Sequence, residues 1–278
     1  MKVRLICMDL DGTLFSHHSE VPEINIQALK ECERRGIKLA LVSGRGCPFI
    51  RRIALKIGVD CAIVSANGAR IEAGVDGPTV FEGTFTEDEG RFVMNAMFSA
   101  NVNFEAYTRE VNYLARPELA PEKHVKSLEM YVKAGDVRAE YDLDKMILEA
   151  PANSYKFVVF TKDDQAFERA RKTLDENGIR HCSSAGINLE VMPKGVDKGS
   201  AVRRLCEYFG IDENETMAFG DYTNDLDMLK AVRYPVAMKN AVDEVKTIAK
   251  YIAPLNTEGG VGRFIMENVL KESIWRSD

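Results

Sequence analysis

Four largely apolar runs stand towards the two ends of this chain, at residues 3–8, 37–42, 61–65 and 216–219, and each leads into acidic or small polar residues. Runs this short and this apolar read as strands buried on both faces. Between the first two, the apolar positions change to helical spacing: Ile24, Ala28, Leu29 and Cys32, with Pro22 as the opening signal and Gly36 as the stop. A second helix is expected over 48–57. Strand, helix, strand, helix, strand at this spacing predicts a parallel sheet with right-handed crossovers.

The rhythm then changes. Asn67-Gly68-Ala69 and the Gly/Pro/Asp-rich segment 73–78 predict a hairpin with its return strand at 79–81. From 84 to about 192 the pattern predicts a helix (86–99), strands (102–107 and 110–115), a mixed middle (117–152), a strand (155–161), a helix (163–177) and two short strands (179–183 and 187–192). Paired strands with helices on one side form an α+β unit of their own. The first rhythm resumes with helices at 198–209, 224–232, 241–249 and 259–270, and strands at 216–219, 234–238 and 251–253. The expectation is an α/β core, 1–83 and 193–278, interrupted by an inserted α+β domain, 84–192.

Composition narrows the function more by exclusion than by support. A length of 278 residues accommodates a core plus a smaller unit. A net charge of −6 leaves no electrostatic footprint for nucleic acid. No apolar run approaches the roughly 18–20 residues of a membrane span, and the N-terminal run stops at Asp9, too soon for a signal peptide. The cysteines (7, 32, 47, 61, 182, 206) show no Cys-x-x-Cys pair, and the histidines (17, 18, 124, 181) no metal-ligand spacing. Reduced thiols and a cytoplasmic location are expected, rather than a disulfide framework or a zinc site.

The chemistry gathers where the core strands end. The first ends in Asp9 and Asp11 before Gly12-Thr13, the second in Ser43-Gly44-Arg45, and a later one in Gly220-Asp221 ahead of Asn224 and Asp225. Lys198 opens the helix after the insert. In a parallel sheet these ends share one edge, where ligands bind. Carboxylates converging there repel one another and call for a hard cation, most naturally Mg2+ with its oxygen ligands. A hydroxyl, glycine amides and an ammonium suit a phosphoryl group. One aspartate can attack phosphorus while the other moves protons.

These motifs, in this order, resemble those of haloacid dehalogenase superfamily phosphatases of the Cof-type branch, over essentially the whole chain. Asp9-Leu10-Asp11-Gly12-Thr13-Leu14 matches the first motif and Ser43-Gly44-Arg45 the second. Met192-Pro193-Lys194-Gly195-Val196-Asp197-Lys198-Gly199 is similar to the third, and Gly220-Asp221-Tyr222-Thr223-Asn224-Asp225 to the fourth, followed by Met228-Leu229. The segment 236–241 also resembles its counterpart. Where relatives often carry Asp before Gly-Val, this chain has Gly259. The resemblance implies a Rossmann-like core with an α+β cap, Asp9 as nucleophile and Asp11 as general acid/base. It also implies a phosphate site from Leu10, Ser43, Gly44, Lys198 and Asn224. Mg2+ would be held by Asp9, Asp11 and Asp221, with Asp225 bound directly or one step removed.

Plainer readings stand beside these. Lys198 could be a solvated first-turn lysine, and Asp221 and Asp225 helix-capping acids. Asn67 fits a hairpin turn or a substrate contact, and Arg45 a substrate contact or a structural role. His17 and His18 could line the entrance or be idle loop residues; Cys7 and Cys47 read as buried small hydrophobes. Asp9 and Ser43 are too close for a domain between them, which places the insert after the second motif. That arrangement resembles the sugar-phosphate phosphatases. The expected function is hydrolysis of a small phosphorylated metabolite, a sugar phosphate or phosphorylated cofactor. A phosphomutase or a non-catalytic phospho-ligand sensor are the alternatives. Specificity is expected from within 104–116 and 121–131; oligomeric state is silent.

Overall fold

The computed structural model describes residues 1–17, 20–184 and 188–271. In chain order the first elements are β1 (Leu5–Met8), α1 (Glu23–Arg34), β2 (Lys38–Val42), α2 (Cys47–Ile57), β3 (Ala62–Ser65), β4 (Arg70–Glu72) and β5 (Thr79–Glu82). Then come α3 (Glu87–Ala100), β6 (Phe104–Tyr107), β7 (Asn112–Ala115), α4 (Glu122–Lys133), β8 (Ala139–Glu140), α5 (Leu143–Asn153), β9 (Lys156–Val159), α6 (Asp164–Glu176), β10 (His181–Cys182) and β11 (Leu189–Val191). The chain continues through α7 (Lys198–Phe209), β12 (Thr216–Gly220), α8 (Leu226–Lys230), β13 (Tyr234–Met238), α9 (Asp243–Ile248), β14 (Tyr251–Ala253) and α10 (Gly260–Asn268).

Two sheets result. The larger runs β14-β13-β12-β1-β2-β3-β4-β5, parallel from β14 to β3 and closed by the antiparallel β4 and β5. Its central strands are apolar throughout because both faces are covered. Ile6, Met8, Leu39 and Leu41 pack with Leu29, Phe49, Ile53 and Ile265 from α1, α2 and α10. Leu5, Cys7, Ala40 and Val42 pack with Val202, Leu205, Met228 and Val245 from α7, α8 and α9. A side chain in mid-strand therefore meets a helix on either side, and charge is confined to strand ends.

The smaller sheet runs β10-β11-β9-β6-β7-β8, antiparallel except where β7 meets β8. One face is apolar: Phe104, Ala106, Phe157, Val159, Leu189 and Val191 pack against α3, α5 and α6. Strand alternation turns Glu105, Tyr107, Lys156, Val158 and Glu190 to the other face. Register aligns Glu105 with Val158 and Val158 with Glu190, and Tyr107 with Lys156. The expected placement of helices on one side holds for three of the four. The fourth, α4, lies over the polar face, with His124 paired to Glu105 and Tyr131 packed edge-on against Phe49 of α2, ring centroids 5.9 Å apart.

Most predicted elements sit within two residues of their expected bounds. The helix expected over 224–232 is shorter, with a tight turn at 223–225 ahead of α8, because Asp225 points inward and accepts bonds from the Asp221 and Tyr222 amides, at 2.9 and 3.2 Å. Gly259 has φ +69° and lies so close to α1 that a Cβ would meet Ile24 Cγ2 at 2.2 Å. The strand predicted at 187–192 forms over Leu189–Val191, with Ile187 outside the described residues. All six cysteines are free. Among the described residues no helix is long and apolar enough to cross a membrane.

Candidate active site

At the carboxyl edge of the larger sheet the parallel strands deliver their polar ends together. Asp9 follows β1, and its backbone N–H reaches across to Phe219 of β12, 3.1 Å away. The Asp9 carboxylate is only 6% exposed and accepts from Lys198 Nζ at 2.5 Å. The same ammonium donates to Asp225 Oδ1 at 2.6 Å. Lys198 is thus a fully buried lysine at the N-terminus of α7, where the helix dipole disfavours a cation. Burial alone would favour its neutral form, but Asp225 and Asp9 hold its pKa above the ordinary lysine value.

One ammonium does not balance the acids around it. Asp221 completes the group: it offers an oxygen within 4.8 Å of those of Asp9 and Asp225 and accepts from Thr13 Oγ1 at 2.8 Å. Burial pushes the Asp221 carboxyl up to about 7, with Asp225 adding to the rise and Thr13 and Lys198 opposing it. Burial likewise raises the Asp9 carboxyl well above the usual carboxylate range, against the pull of Lys198. Surplus negative charge in a desolvated site is the physical signature of missing positive charge. The Asp9–Leu14 turn leaves room for it: Gly12 has φ +79°, and a Cβ there would fall 2.2 Å from Asp221 Oδ2.

Asp11 is placed differently. Its side chain is 54% exposed and forms a two-pronged ion pair with Arg45, both contacts at 2.7 Å. Arg45 stacks over Phe49 and Tyr131, 4.3 and 5.1 Å from the ring centroids, and donates to the Tyr131 hydroxyl at 2.7 Å. One guanidinium therefore links the Asp11 loop to α4.

Between the two sheets lies a cavity of about 400 Å³, within the usual range for small-molecule sites. Asp9, Asp11, Ser43, Gly44, Arg45 and Asn224 line one end. The polar face of the smaller sheet and α4 form its other wall, and the two walls meet at Gly44, where a Cβ would lie 3.3 Å from Lys156 Nζ and Glu190 Oε2.

A sequence profile described as haloacid dehalogenase-like hydrolase matches residues 6–265. The chain belongs to this family. It is a hydrolase of the phosphatase type. Among curated proteins it is 27% identical over 283 residues to a 5-amino-6-(5-phospho-D-ribitylamino)uracil phosphatase of Bacillus subtilis, covering 95% of this chain and 97% of the relative. A second B. subtilis phosphatase is also 27% identical over 283 residues, covering 95% and 99%. Among solved structures, a haloacid dehalogenase-like hydrolase from B. subtilis superposes with TM-score 0.85 at 25% identity, covering 96% of this chain and 100% of the other. One from Bacteroides thetaiotaomicron gives 0.80 at 26%, covering 96% and 99%.

The candidate residues of the phosphatase divide cleanly. Asp9, Asp11, Ser43, Gly44, Arg45, Lys198, Asn224, Asp221 and Asp225 meet at the one sheet edge. Leu10 is buried and belongs to the same turn. Asn67 does not line the cavity. It is 1% exposed, sits in the β3–β4 turn at φ +56° and donates to Glu190 Oε2 at 2.6 Å, joining the two sheets. His17 is exposed and away from the cavity; His18 lies outside the described residues.

Residues that sequence reasoning passed over include Thr13, the partner of Asp221, and Asn240, which donates to the Gly12 carbonyl at 2.8 Å. Both stand inside recognised motif segments, so position was the available signal. Lys156, Glu190, Asn188 and Asp136 also line the cavity; they lie outside the two windows expected to set specificity.

Proposed function

We propose that this phosphatase is a magnesium-dependent phosphomonoesterase for a small phosphorylated metabolite, a sugar phosphate or phosphorylated cofactor. In this reading residues 84–192 act as a cap domain over the site. The observation that carries it is the buried set Asp9–Lys198–Asp225 with Asp221, opening into a cavity walled on its far side by the smaller sheet. Asp9 and Asp221, with the Asp11 backbone carbonyl, would hold the cation. Asp225 would act from behind, since its two oxygens already accept three bonds. Such a cation supplies positive charge that favours the ionised carboxylates and draws in the phosphoryl oxygens.

The chain's own residues do the rest. Asp9 attacks phosphorus, forming an aspartyl-phosphate as the bond to the leaving oxygen breaks, and Asp11 donates the proton that releases an alcohol. Asp11 then takes a proton from water, whose oxygen attacks the phosphorus, freeing phosphate and restoring Asp9. Ser43, the Gly44 region, Lys198 and Asn224 hold the phosphoryl oxygens. An incoming phosphoryl anion competes for Arg45, which releases Asp11 for proton transfer. Two ends of one cavity, one for the phosphate and one for the alcohol, exclude bulk water during the transfer.

The test is phosphate release across a panel of phosphorylated metabolites, with and without a chelator. Activity should concentrate in a few esters and vanish on chelation. Asp9→Asn should lower the rate at least about 1,000-fold, as expected for loss of a nucleophile. An unchanged rate would end the nucleophile assignment.

A further inference from the structure

Among the described residues the charges on the polar face of the smaller sheet are paired, but one carboxylate oxygen is left without a donor. Lys156 Nζ meets Glu190 at 3.0 Å, and Ser184 and Asn188 complete the Glu190 carboxylate at 2.6 and 3.0 Å. Asp136 forms a two-pronged pair with Arg52, at 2.8 and 2.6 Å. Glu105 is different. It is 0% exposed, on the cavity side of the central strand β6, and its Oε1 pairs with His124 Nε2 from α4. Its Oε2 has no hydrogen-bond partner among the described residues. Burial, and then the nearby Glu105 and Glu190 charges, raise the Tyr107 phenol well above its ordinary pKa; the phenol is a close neighbour of Glu105 but is not a geometric hydrogen-bond partner of Oε2.

A buried carboxylate oxygen without a donor is costly to maintain, and its cost is removed when a ligand brings the donor. His124 holds the other oxygen and is itself fixed by stacking on Phe160, ring centroids 3.7 Å apart and planes 19° from parallel. The carboxylate is therefore aimed, not merely present. Its cross-strand neighbour Val158 is apolar and Glu105 itself is fully buried, so the exchange with water that weakens exposed hydrogen bonds is reduced.

Resting on the phosphatase reading above, we propose that Glu105 is the specificity determinant of the leaving group: it accepts a hydrogen bond from a hydroxyl or amino group on the alcohol, on the cavity wall formed by the smaller sheet. The preferred substrates are then phosphate monoesters whose alcohol carries such a donor away from the ester oxygen, and plain alkyl phosphates of equal length are discriminated against. His124 is the positioning residue that fixes the accepting oxygen.

The test compares kcat/KM for ribitol 5-phosphate, 5-aminopentyl phosphate and n-pentyl phosphate in the wild type, Glu105→Gln and Glu105→Leu. The first two probes separate hydroxyl from amino donors. The wild type should favour at least one of them over n-pentyl phosphate, and the leucine variant should lower that preference at least about 10-fold, as for loss of a hydrogen bond to a charged group. Glutamine, nearly the same shape with an uncharged acceptor, should fall between. Should the leucine variant fail to fold, the glutamine variant, with its melting curve recorded, decides alone. Equal preference in folded variants and wild type overturns this inference and leaves the phosphatase reading intact. No phosphate release by the wild type from any of the three probes or from the metabolite panel overturns the reading beneath it.

Discussion

The two sheets handle buried charge in opposite ways. In the larger sheet every charge of the site lies at a strand end or helix start: Asp9 after β1, Asp221 after β12, Lys198 at the head of α7. In the smaller sheet Glu105, Lys156 and Glu190 lie within strands. Coverage explains the difference. Helices pack on both faces of the first sheet, so a mid-strand charge there has no solvent, ligand or partner to meet. Helices α3, α5 and α6 cover only one face of the second, and the other is free to carry polar side chains every second residue. Reactive groups thus converge by sheet topology, whereas the charges of the smaller sheet, Glu105 among them, are spread over a surface.

The largest expected effect tests the crowded end. Replacing Lys198 with methionine keeps its bulk and removes the one cation between Asp9 and Asp225. The expected loss is about 3–5 kcal/mol of stability, the usual cost of orphaning a buried charge, read by urea denaturation. A loss below about 1 kcal/mol would show that the acids are not mutually repelling there.

The spread-out end should respond less, and with a pH dependence. Despite burial, Lys156, Ser184 and Asn67 hold the Glu190 carboxyl below its ordinary pKa. A depressed carboxyl pKa contributes stability that is fully present above the unfolded value near 4.3 and is lost as pH falls through the folded value. Glu190→Gln should therefore cost about 2 kcal/mol near neutrality, and its gap from wild type should narrow below about pH 4. Melting curves from pH 7 to 3.5 check this; a gap that widens on acidification contradicts it.

The link between the two regions is the smallest lever. Tyr131→Phe removes one hydroxyl from Arg45 and leaves the ring stack on Phe49 in place. A loss of about 0.5–1.5 kcal/mol is expected, with a KM change larger than the kcat change if Arg45 meets substrate. A fall in kcat with KM unchanged would place Arg45 in the chemical step instead.

How much was legible follows from the same contrast. The Asp9–Leu14 turn, Ser43–Arg45 and Gly220–Asp225 are each contiguous, because a strand end and the turn after it are local in sequence. Element order outside 117–152 was readable from periodicity for the same reason; α4, β8 and α5 lie in that mixed middle, to which the pattern assigned no elements. Within the windows 104–116 and 121–131 lie Glu105, Tyr107, His124 and Tyr131, which line the cavity. Lys156, Asn188 and Glu190 do so from outside them, since a sheet face is assembled by register among β6, β9 and β11 rather than by sequence proximity. The folding of α4 over the polar face was equally hidden, because its contacts, His124 with Glu105 and Tyr131 with Arg45 and Phe49, join residues far apart in sequence.

By itself, then, the sequence determined the α/β order, the reactive strand ends and the family. Local backbone preferences and the need to keep charge out of doubly covered strands suffice for that. Only the tertiary structure decided that Asn67 joins the sheets instead of facing the cavity, that Arg45 holds Asp11, and that Glu105 keeps one oxygen without a donor. Each of those depends on which distant side chain arrives within about 3 Å, a distance set by strand register and helix packing across many tens of residues.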